Sequence, residues 1–155
     1  MGLESLALKL AREVEPARTL DLVVEALVQE AGAERGMAMR WDGRRFVGPA
    51  RERFSETVMR RLRAERRPLI YRDAPIELAG ARSVQAQGAR SVLAVPLSVG
   101  EELIGAVYLD HAEPDRFADA AALGPLVELA AAALDRARRT EEAARLERQL
   151  RPVAP

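Results

Sequence analysis

The stretch SVLAVPLSVGEELIGAVYLDH, residues 91–111, decides the fold of this chain. Two apolar runs, 92–97 and 103–109, flank a short polar segment at Gly100 and Glu101. This arrangement predicts two antiparallel strands joined by a turn. The runs are almost continuously apolar rather than alternating, which is typical of strands covered on both faces. The sequence therefore predicts a hairpin buried on both sides.

Two residues of this hairpin are unusual in a buried strand. Pro96 has no backbone N–H to donate, so its nitrogen should face a bulge or an unpaired edge. Gly105 lies on the opposite strand, where the absence of a side chain would relieve crowding.

The segments before the hairpin show first helical and then mixed periodicity. Apolar residues at helical spacing predict a first helix that ends before Pro16 and a second that begins at an N-cap, Thr19, and stops at Gly32. A strand hairpin follows over 36–48, with Asp42-Gly43 as a two-residue turn. We then expect a third helix from Ser55 to about residue 65, a short strand within 68–75, and a short helix with loops over 76–90.

The pattern after Phe117 is helical to the end of the chain. Gly124-Pro125 either kinks this helix or starts it, with the proline in its first turn. From the proline to residue 150 the helix would be ~38 Å long, more than a small domain needs. Acidic and basic residues at i,i+4, such as Asp135/Arg139 and Glu141/Arg145, predict ion pairs along it. We therefore divide the chain into one domain, 1–140, and a projecting helix and tail, 141–155.

The composition of the 155 residues excludes several classes of function. Lys+Arg and Asp+Glu are both 24, so there is no basic surplus to attract nucleic acid directly. The chain has no cysteine, which excludes disulfides, thiolate metal sites and cysteine nucleophiles. No apolar run reaches the ~18 residues of a membrane span, so we expect a cytoplasmic protein without membrane contact.

At this point the chain resembles a GAF domain, a sensory module of bacterial signalling proteins and transcription activators. The resemblance rests on residues 91–97 and 100–111, on Phe117, and on the earlier stretches 32–42 and 65–74. It covers about residues 5–140 and implies an α+β fold. That fold has a central antiparallel sheet of five or six strands, with the N- and C-terminal helices on one face and a small-ligand pocket on the other.

The resemblance also implies which segments line the pocket: the start of the third helix, the strand after it, and the irregular segment that follows. The polar residues in these segments are the candidate ligand-binding residues: Ser55, Tyr71, Asp73, Ser83, Gln87 and Arg90. Alternatively, the aspartate caps the next turn, the arginine pairs with an acid, and side chains fill the cavity. The ligand and any cofactor stay unknown at this stage.

Departures from the family's motifs disfavour three functions known in it: cyclic-nucleotide binding, reduction of free methionine sulfoxide and attachment of a linear tetrapyrrole. Cyclic-nucleotide-binding members carry an Asn-Lys pair where this chain has Asp110-His111, and Asp-Glu after the phenylalanine where it has Ala121-Ala122. Members that reduce free methionine sulfoxide use cysteines, and those that hold linear tetrapyrroles usually attach them through one. The single histidine, His111, is expected to serve in a turn or cap rather than as a metal ligand, and no metal site is predicted.

Five arginines lie within eight residues of the third helix. Three of them, at 60, 63 and 67, would share a helix face that could meet an anion or an acidic partner; alternatively this is a solvated face. The five are Arg60, Arg61, Arg63, Arg66 and Arg67.

The terminal helices carry apolar stripes that predict a homodimer. The expected interface residues are Leu6, Leu10, Val127, Ala130, Leu134 and Ala137. The leading hypothesis is a regulatory module without catalytic activity, because no nucleophile–base pair is visible. It would bind a small molecule and signal through the dimerised helices to an effector, a transcription regulator or a kinase. The alternative is a dimerisation scaffold that binds no ligand.

Overall fold

A computed structural model of the chain describes residues 2–48, 55–78 and 88–152. Helices and strands alternate irregularly along these ranges, and a short 3-10 turn precedes the last helix. The elements in chain order are α1 (Leu3–Arg12), α2 (Pro16–Ala31), β1 (Arg35–Trp41), β2 (Phe46–Val47), α3 (Glu56–Glu65), β3 (Leu69–Tyr71), α4 (Ala74–Glu77), β4 (Ser91–Val99), β5 (Glu102–His111), the 3-10 turn (Ala121–Leu123) and α5 (Gly124–Leu150).

The β4–β5 hairpin lies at the centre of an antiparallel sheet. The strand order is β2-β1-β5-β4-β3, so β5 is paired on both sides, with β1 and with β4. The predicted α+β fold with a five-stranded sheet is confirmed. Both faces of the hairpin are covered, because nine of the ten residues of β5 are buried.

The sheet separates two hydrophobic cores. One face packs against α1, α2 and α5, and the other packs against α3. Side chains from β5 alternate between them, because neighbouring strand residues point to opposite faces. The terminal helices therefore share one face, as the resemblance implied, and α3 covers the other, which we call the α3 face. The largest fully buried side chains on the α3 face are Tyr108, Met39, Leu62 and Val58.

A bulge interrupts the central hairpin. Leu97 pairs with Gly105 but Ser98 pairs with Leu103, so Ile104 is an extra residue in β5. A Cβ on Gly105 would lie 2.5 Å from the carbonyl oxygen of Met39 on β1. The close approach of β1 therefore requires a glycine here. The sequence had suggested instead that the glycine relieves crowding with Pro96 on the opposite strand.

Pro96 lies where β4 has a neighbour on one side alone. In the described residues, β3 pairs with positions 92–94 of β4 and ends before the proline. The bulge follows one residue later, between Leu97 and Ser98. The missing N–H therefore falls near an unpaired edge and next to a bulge, as the sequence predicted.

Some of the helix ends and turns predicted from local sequence are confirmed and others are wrong. Gly32 ends α2 in the left-handed conformation, as expected. Thr19 is not an N-cap: α2 begins three residues earlier with Pro16, and the threonine hydroxyl donates to the Glu15 carbonyl. The prediction of a two-residue Asp42-Gly43 turn is also wrong, because four residues join β1 to β2, and the Asp42 carboxylate accepts the backbone N–H groups of Arg44 and Arg45.

The last helix starts at the Gly124-Pro125 pair, with the proline in its first turn. The Asp135–Arg139 ion pair forms, at 3.0 Å. Arg145, however, pairs with Glu142 at i,i+3 rather than with Glu141. The segment after residue 140 contributes little to either core and is almost entirely exposed.

We expect Gly105→Ala to lower the free energy of unfolding by about 3 kcal/mol, because the new methyl group would overlap a backbone carbonyl that cannot move independently. Gly124→Ala is the matched control, since a Cβ there has no atom within 4 Å and the residue is helical. Urea unfolding followed by circular dichroism measures both. Equal stability of the two variants would show that β1 can move away from β5 at little cost.

Candidate functional site

The candidate residue Ser55 has a structural role at the start of α3. It is buried, and its hydroxyl oxygen accepts the backbone N–H of Val58 at 3.3 Å. This bond satisfies one of the N–H groups that a helix leaves free at its first turn. Ser55 therefore fixes where α3 begins above the sheet.

Tyr71, on β3, points into the α3 face. Its ring is buried, and its hydroxyl oxygen accepts a hydrogen bond from Nη1 of Arg61 at 3.3 Å. The guanidinium also lies 6.0 Å from the centre of the ring. Tyr71 thus connects β3 to the outer side of α3, and its hydroxyl already has a partner in the protein.

Asp73 and Arg90 pair with each other. Nη2 of Arg90 lies 2.6 Å from Oδ2 of Asp73, and the arginine remains half exposed. The Asp73 side chain does not cap α4, although the residue occupies the N-cap position. The sequence analysis offered a cap by the aspartate and an ion pair of the arginine with an acid as structural roles. The ion pair is present and the cap is not. Ser83 and Gln87 lie outside the described residues.

The most unusual polar group on the α3 face is the hydroxyl of Tyr108, on the central strand β5. The side chain is 2% exposed, and its oxygen has no hydrogen-bond partner among the described residues. Burial raises the pKa of this phenol, so the hydroxyl is neutral and can both donate and accept. The sequence analysis did not identify this residue, and the available signal was one tyrosine in the otherwise aliphatic run 103–109.

Two residues further along β5, Asp110 forms a bidentate ion pair with Arg35 of β1. The two contacts are 2.9 Å (Nε to Oδ1) and 3.1 Å (Nη2 to Oδ2). The carboxylate is almost fully buried, whereas the guanidinium side chain is 55% exposed. Burial raises the pKa of Asp110, and Arg35 opposes that shift without cancelling it.

His111 ends β5 and lies in a turn. Its Nδ1 atom accepts the backbone N–H of Glu113 at 3.0 Å and is 3.3 Å from Oε1 of Glu34. The same glutamate oxygen accepts the backbone N–H of Ala112. The histidine therefore organises the loop after β5, as the sequence predicted.

Most of the chain matches the model of a known family. The family model described as GAF domain matches residues 15–137 of the chain. The chain belongs to the GAF domain family. The match runs from the residue before α2 to the middle of α5, so it includes the whole sheet and α3.

Solved GAF folds superpose on most of this GAF domain. The GAF domain of an Acinetobacter phosphoenolpyruvate-protein phosphotransferase gives a TM-score of 0.69 at 14% identity, over 88% of this chain and 92% of that one. The free methionine-R-sulfoxide reductase of Neisseria meningitidis, solved with its substrate, gives 0.68 at 20% identity over 88% of each chain. A cyanobacteriochrome GAF domain gives 0.66 at 16% identity, over 84% and 95%.

No curated protein sequence matches this GAF domain. In the described residues, no helix combines the length and the apolar character that crossing a membrane requires.

The structure corrects the residues expected at a dimer interface. Five of the six are buried inside the chain itself, where they pack between the terminal helices and the sheet; Val127 is half-buried. A side chain that is already buried in its own chain cannot also contact a partner. The apolar stripes of α1 and α5 are therefore core, and the five buried residues are Leu6, Leu10, Ala130, Leu134 and Ala137.

The structure also separates the five arginines of the third helix. The helix ends at Glu65, and Arg66 caps it in the left-handed conformation while donating to the carbonyl of Glu101. Arg67 therefore lies beyond the helix and pairs with Glu65 at 2.6 Å. Only Arg60 and Arg63 remain of the face that the sequence predicted.

We expect the ionised form of Asp110 to be less favourable in the folded state than in the unfolded chain. Since burial raises its pKa above the ordinary 3.8, the folded protein holds the proton more tightly. Its contribution to stability is therefore full below the unfolded pKa and is lost as the pH rises through the folded pKa.

Urea unfolding of the wild type and of Asp110→Asn between about pH 4 and pH 7 measures this effect. The unfolding free energy of the wild type minus that of the variant should fall as the pH rises. A difference that rises with pH would show that the ion pair with Arg35 outweighs burial.

Proposed function

We propose that this GAF domain is a non-catalytic sensory module of a signal-transduction protein. It binds a small molecule against the α3 face of the sheet, with Tyr108 as the central polar contact. It transmits the binding event through the terminal helices of a homodimer to an effector, a transcription regulator or a kinase. The observation that carries the proposal is the hydroxyl of Tyr108, which has no hydrogen-bond partner among the described residues and lies on the face opposite the terminal helices.

The energy of that hydroxyl favours a ligand. A buried polar group without a hydrogen bond costs about 1–3 kcal/mol, so a chain that keeps one gives up stability. A ligand that offers a donor or an acceptor to the Tyr108 oxygen would recover this energy. Binding would then be strongest for molecules that place one polar atom at that point.

The surroundings indicate the chemical class of the ligand. The nearest charged groups, Asp110 and Arg35, neutralise each other through two hydrogen bonds. The rest of this face is lined by apolar side chains, including Met39, Leu62 and Ala106. Such surroundings favour a small, uncharged and largely apolar molecule over a nucleotide or another anion.

The absence of cysteine supports a module without redox catalysis. The reductase from Neisseria meningitidis shares the fold at 20% identity. The family's methionine sulfoxide reductases use cysteine thiols, and this chain contains none to supply the electrons. The shared fold therefore carries different chemistry in the two proteins.

The end of α5 supports transmission through a dimer. Ala143, Leu146 and Leu150 follow the three-and-four spacing of a coiled coil, and the two leucines are 45% and 82% exposed. The first half of α5 packs against β4 and β5. A change at the sheet would therefore reach the exposed seam along one continuous helix.

A second candidate function is a scaffold that dimerises without binding a ligand. The dense packing of the α3 face supports it, since Met37 lies directly opposite Tyr108 in the β1–β5 pairing, and Met39 and Tyr71 are buried in the same cluster. The two functions differ in one measurable respect, which is whether any compound stabilises the protein through the Tyr108 hydroxyl.

Native mass spectrometry of freshly purified protein, followed by a thermal-shift screen of uncharged metabolites, tests for a ligand. At about 100 times its Kd, a ligand adds about 2.7 kcal/mol to the unfolding free energy. Tyr108→Phe should remove most of this stabilisation and leave the free protein as stable as the wild type or more so, because the hydroxyl has no partner in the described ranges to lose.

Tyr71→Phe is the matched control, since it removes the only other tyrosine hydroxyl of the chain, which Arg61 already bonds. It should lower the unfolding free energy by about 1 kcal/mol and leave ligand binding unchanged. Wild-type protein that retains no compound and is stabilised by none would favour the scaffold.

Sedimentation equilibrium tests the dimer. We expect the wild type near twice the chain mass of 17.0 kDa and Leu146→Arg near the single mass, because a guanidinium in the seam would lose its water without gaining a partner. Ile76→Arg is the control, since this exposed side chain lies on α4, away from the seam. A wild type that is monomeric at high concentration would contradict this transmission route.

A further inference from the structure

A groove of about 250 Å³ lies between the β1–β2 hairpin and the outer side of α3. The apolar part of its wall is Trp41, Phe46 and Met59, from three different elements. Its polar part is three arginines and one glutamate, so positive charge is in excess. These residues are Arg45, Arg60, Arg63 and Glu56.

The arginines of this groove are poorly neutralised. Arg60 makes no hydrogen bond or ion pair with any described residue. Arg45 is 3.9 Å from Asp42, at the limit of an ion pair. Exposed arginines elsewhere on the surface have a carboxylate partner at distances such as 2.6 Å for Arg67 and 3.7 Å for Arg72. The groove therefore has unused capacity for carboxylate partners.

The aromatic wall is held in place before any partner arrives. The rings of Trp41 and Phe46 meet edge to face, with centroids 5.0 Å apart and planes at 61°. The guanidinium of Arg63 lies 5.3 Å from the centre of the indole ring. A half-buried tryptophan with its neighbours fixed costs little ordering entropy on binding, which is typical of residues that dominate interfaces.

We propose that this groove binds an acidic protein segment, with carboxylates on Arg60, Arg63 and Arg45 and an apolar side chain against Trp41. Charge complementarity selects this partner. Because Arg63 already lies over the indole, the ring is less suited to stacking a nucleic-acid base. The groove is open and shallow, which suits a chain segment better than an enclosed small molecule.

The groove lies apart from Tyr108, and its binding does not require the ligand proposed above. Both sites nevertheless involve α3: Val58 and Leu62 pack inside the α3 face, whereas Arg60 and Arg63 point outward into the groove. We assign the acidic segment to the effector protein.

The single tryptophan of the chain gives a direct readout, since its fluorescence reports on the groove alone. The probe is an acetylated peptide, Glu-Glu-Asp-Leu-Asp-Glu-Glu, and its control is the same peptide with Gln and Asn in place of Glu and Asp. We expect saturable binding of the acidic peptide, weaker at about 300 mM salt than at about 50 mM, and none of the neutral one.

Variants then locate the site. Arg60→Glu should weaken peptide binding about tenfold, and Arg60→Gln by less, because only the first adds repulsion. Arg148→Glu changes the net charge equally but lies near the end of α5, so it should change the affinity less than about twofold. The urea unfolding midpoint of each variant shows whether the fold is intact.

Three results would overturn the proposal. The first is equal weakening by Arg60→Glu and Arg148→Glu, which would reduce binding to net charge. The second is tighter binding of a seven-nucleotide oligothymidylate with the same dependence on Arg60, which would assign the groove to nucleic acid. The third is an acidic peptide that leaves the tryptophan fluorescence unchanged at low salt and gives no binding heat in isothermal titration calorimetry.

Discussion

The rest of the structure depends on the burial of β5 from every direction. This strand pairs with β4 on one side and β1 on the other, and helices cover both of its faces. The backbones come close enough that Gly105 has no room for a side chain beside Met39. A strand enclosed in this way needs the terminal helices on one face and α3 on the other, so the layered architecture follows from one apolar hairpin.

That enclosure makes each polar group on β5 costly. Asp110 is tolerated because Arg35 reaches it with two hydrogen bonds, although burial still raises its pKa. His111 is tolerated because it lies at the strand end, where the loop backbone supplies a donor. Tyr108 has neither form of compensation among the described residues, which is why it carries the functional proposal. A buried polar group without a hydrogen-bond partner is therefore the feature of this strand that points to a function.

The two faces of the sheet have different uses. The face toward the terminal helices is filled by small and branched side chains, and the alanines of α5 allow that helix to pack closely against the sheet. The other face holds larger side chains, including both tyrosines of the chain, under a helix of ten residues whose N-cap is Ser55. A short helix above this face can adjust its position more easily than the long helix on the far side, which provides a rigid connection.

The sequence by itself determined the parts that depend on local chemistry. The continuous apolar runs fixed the central hairpin, and residues such as Gly32 and Ser55 fixed helix ends, because each acts on its own backbone. Only the tertiary structure decided what covers an apolar face. Helical periodicity put Leu134 on an apolar stripe, but it could not say that the chain's own sheet, not a partner, would bury it. The Arg35–Asp110 pair joins residues 75 positions apart, so no local sequence pattern could predict it.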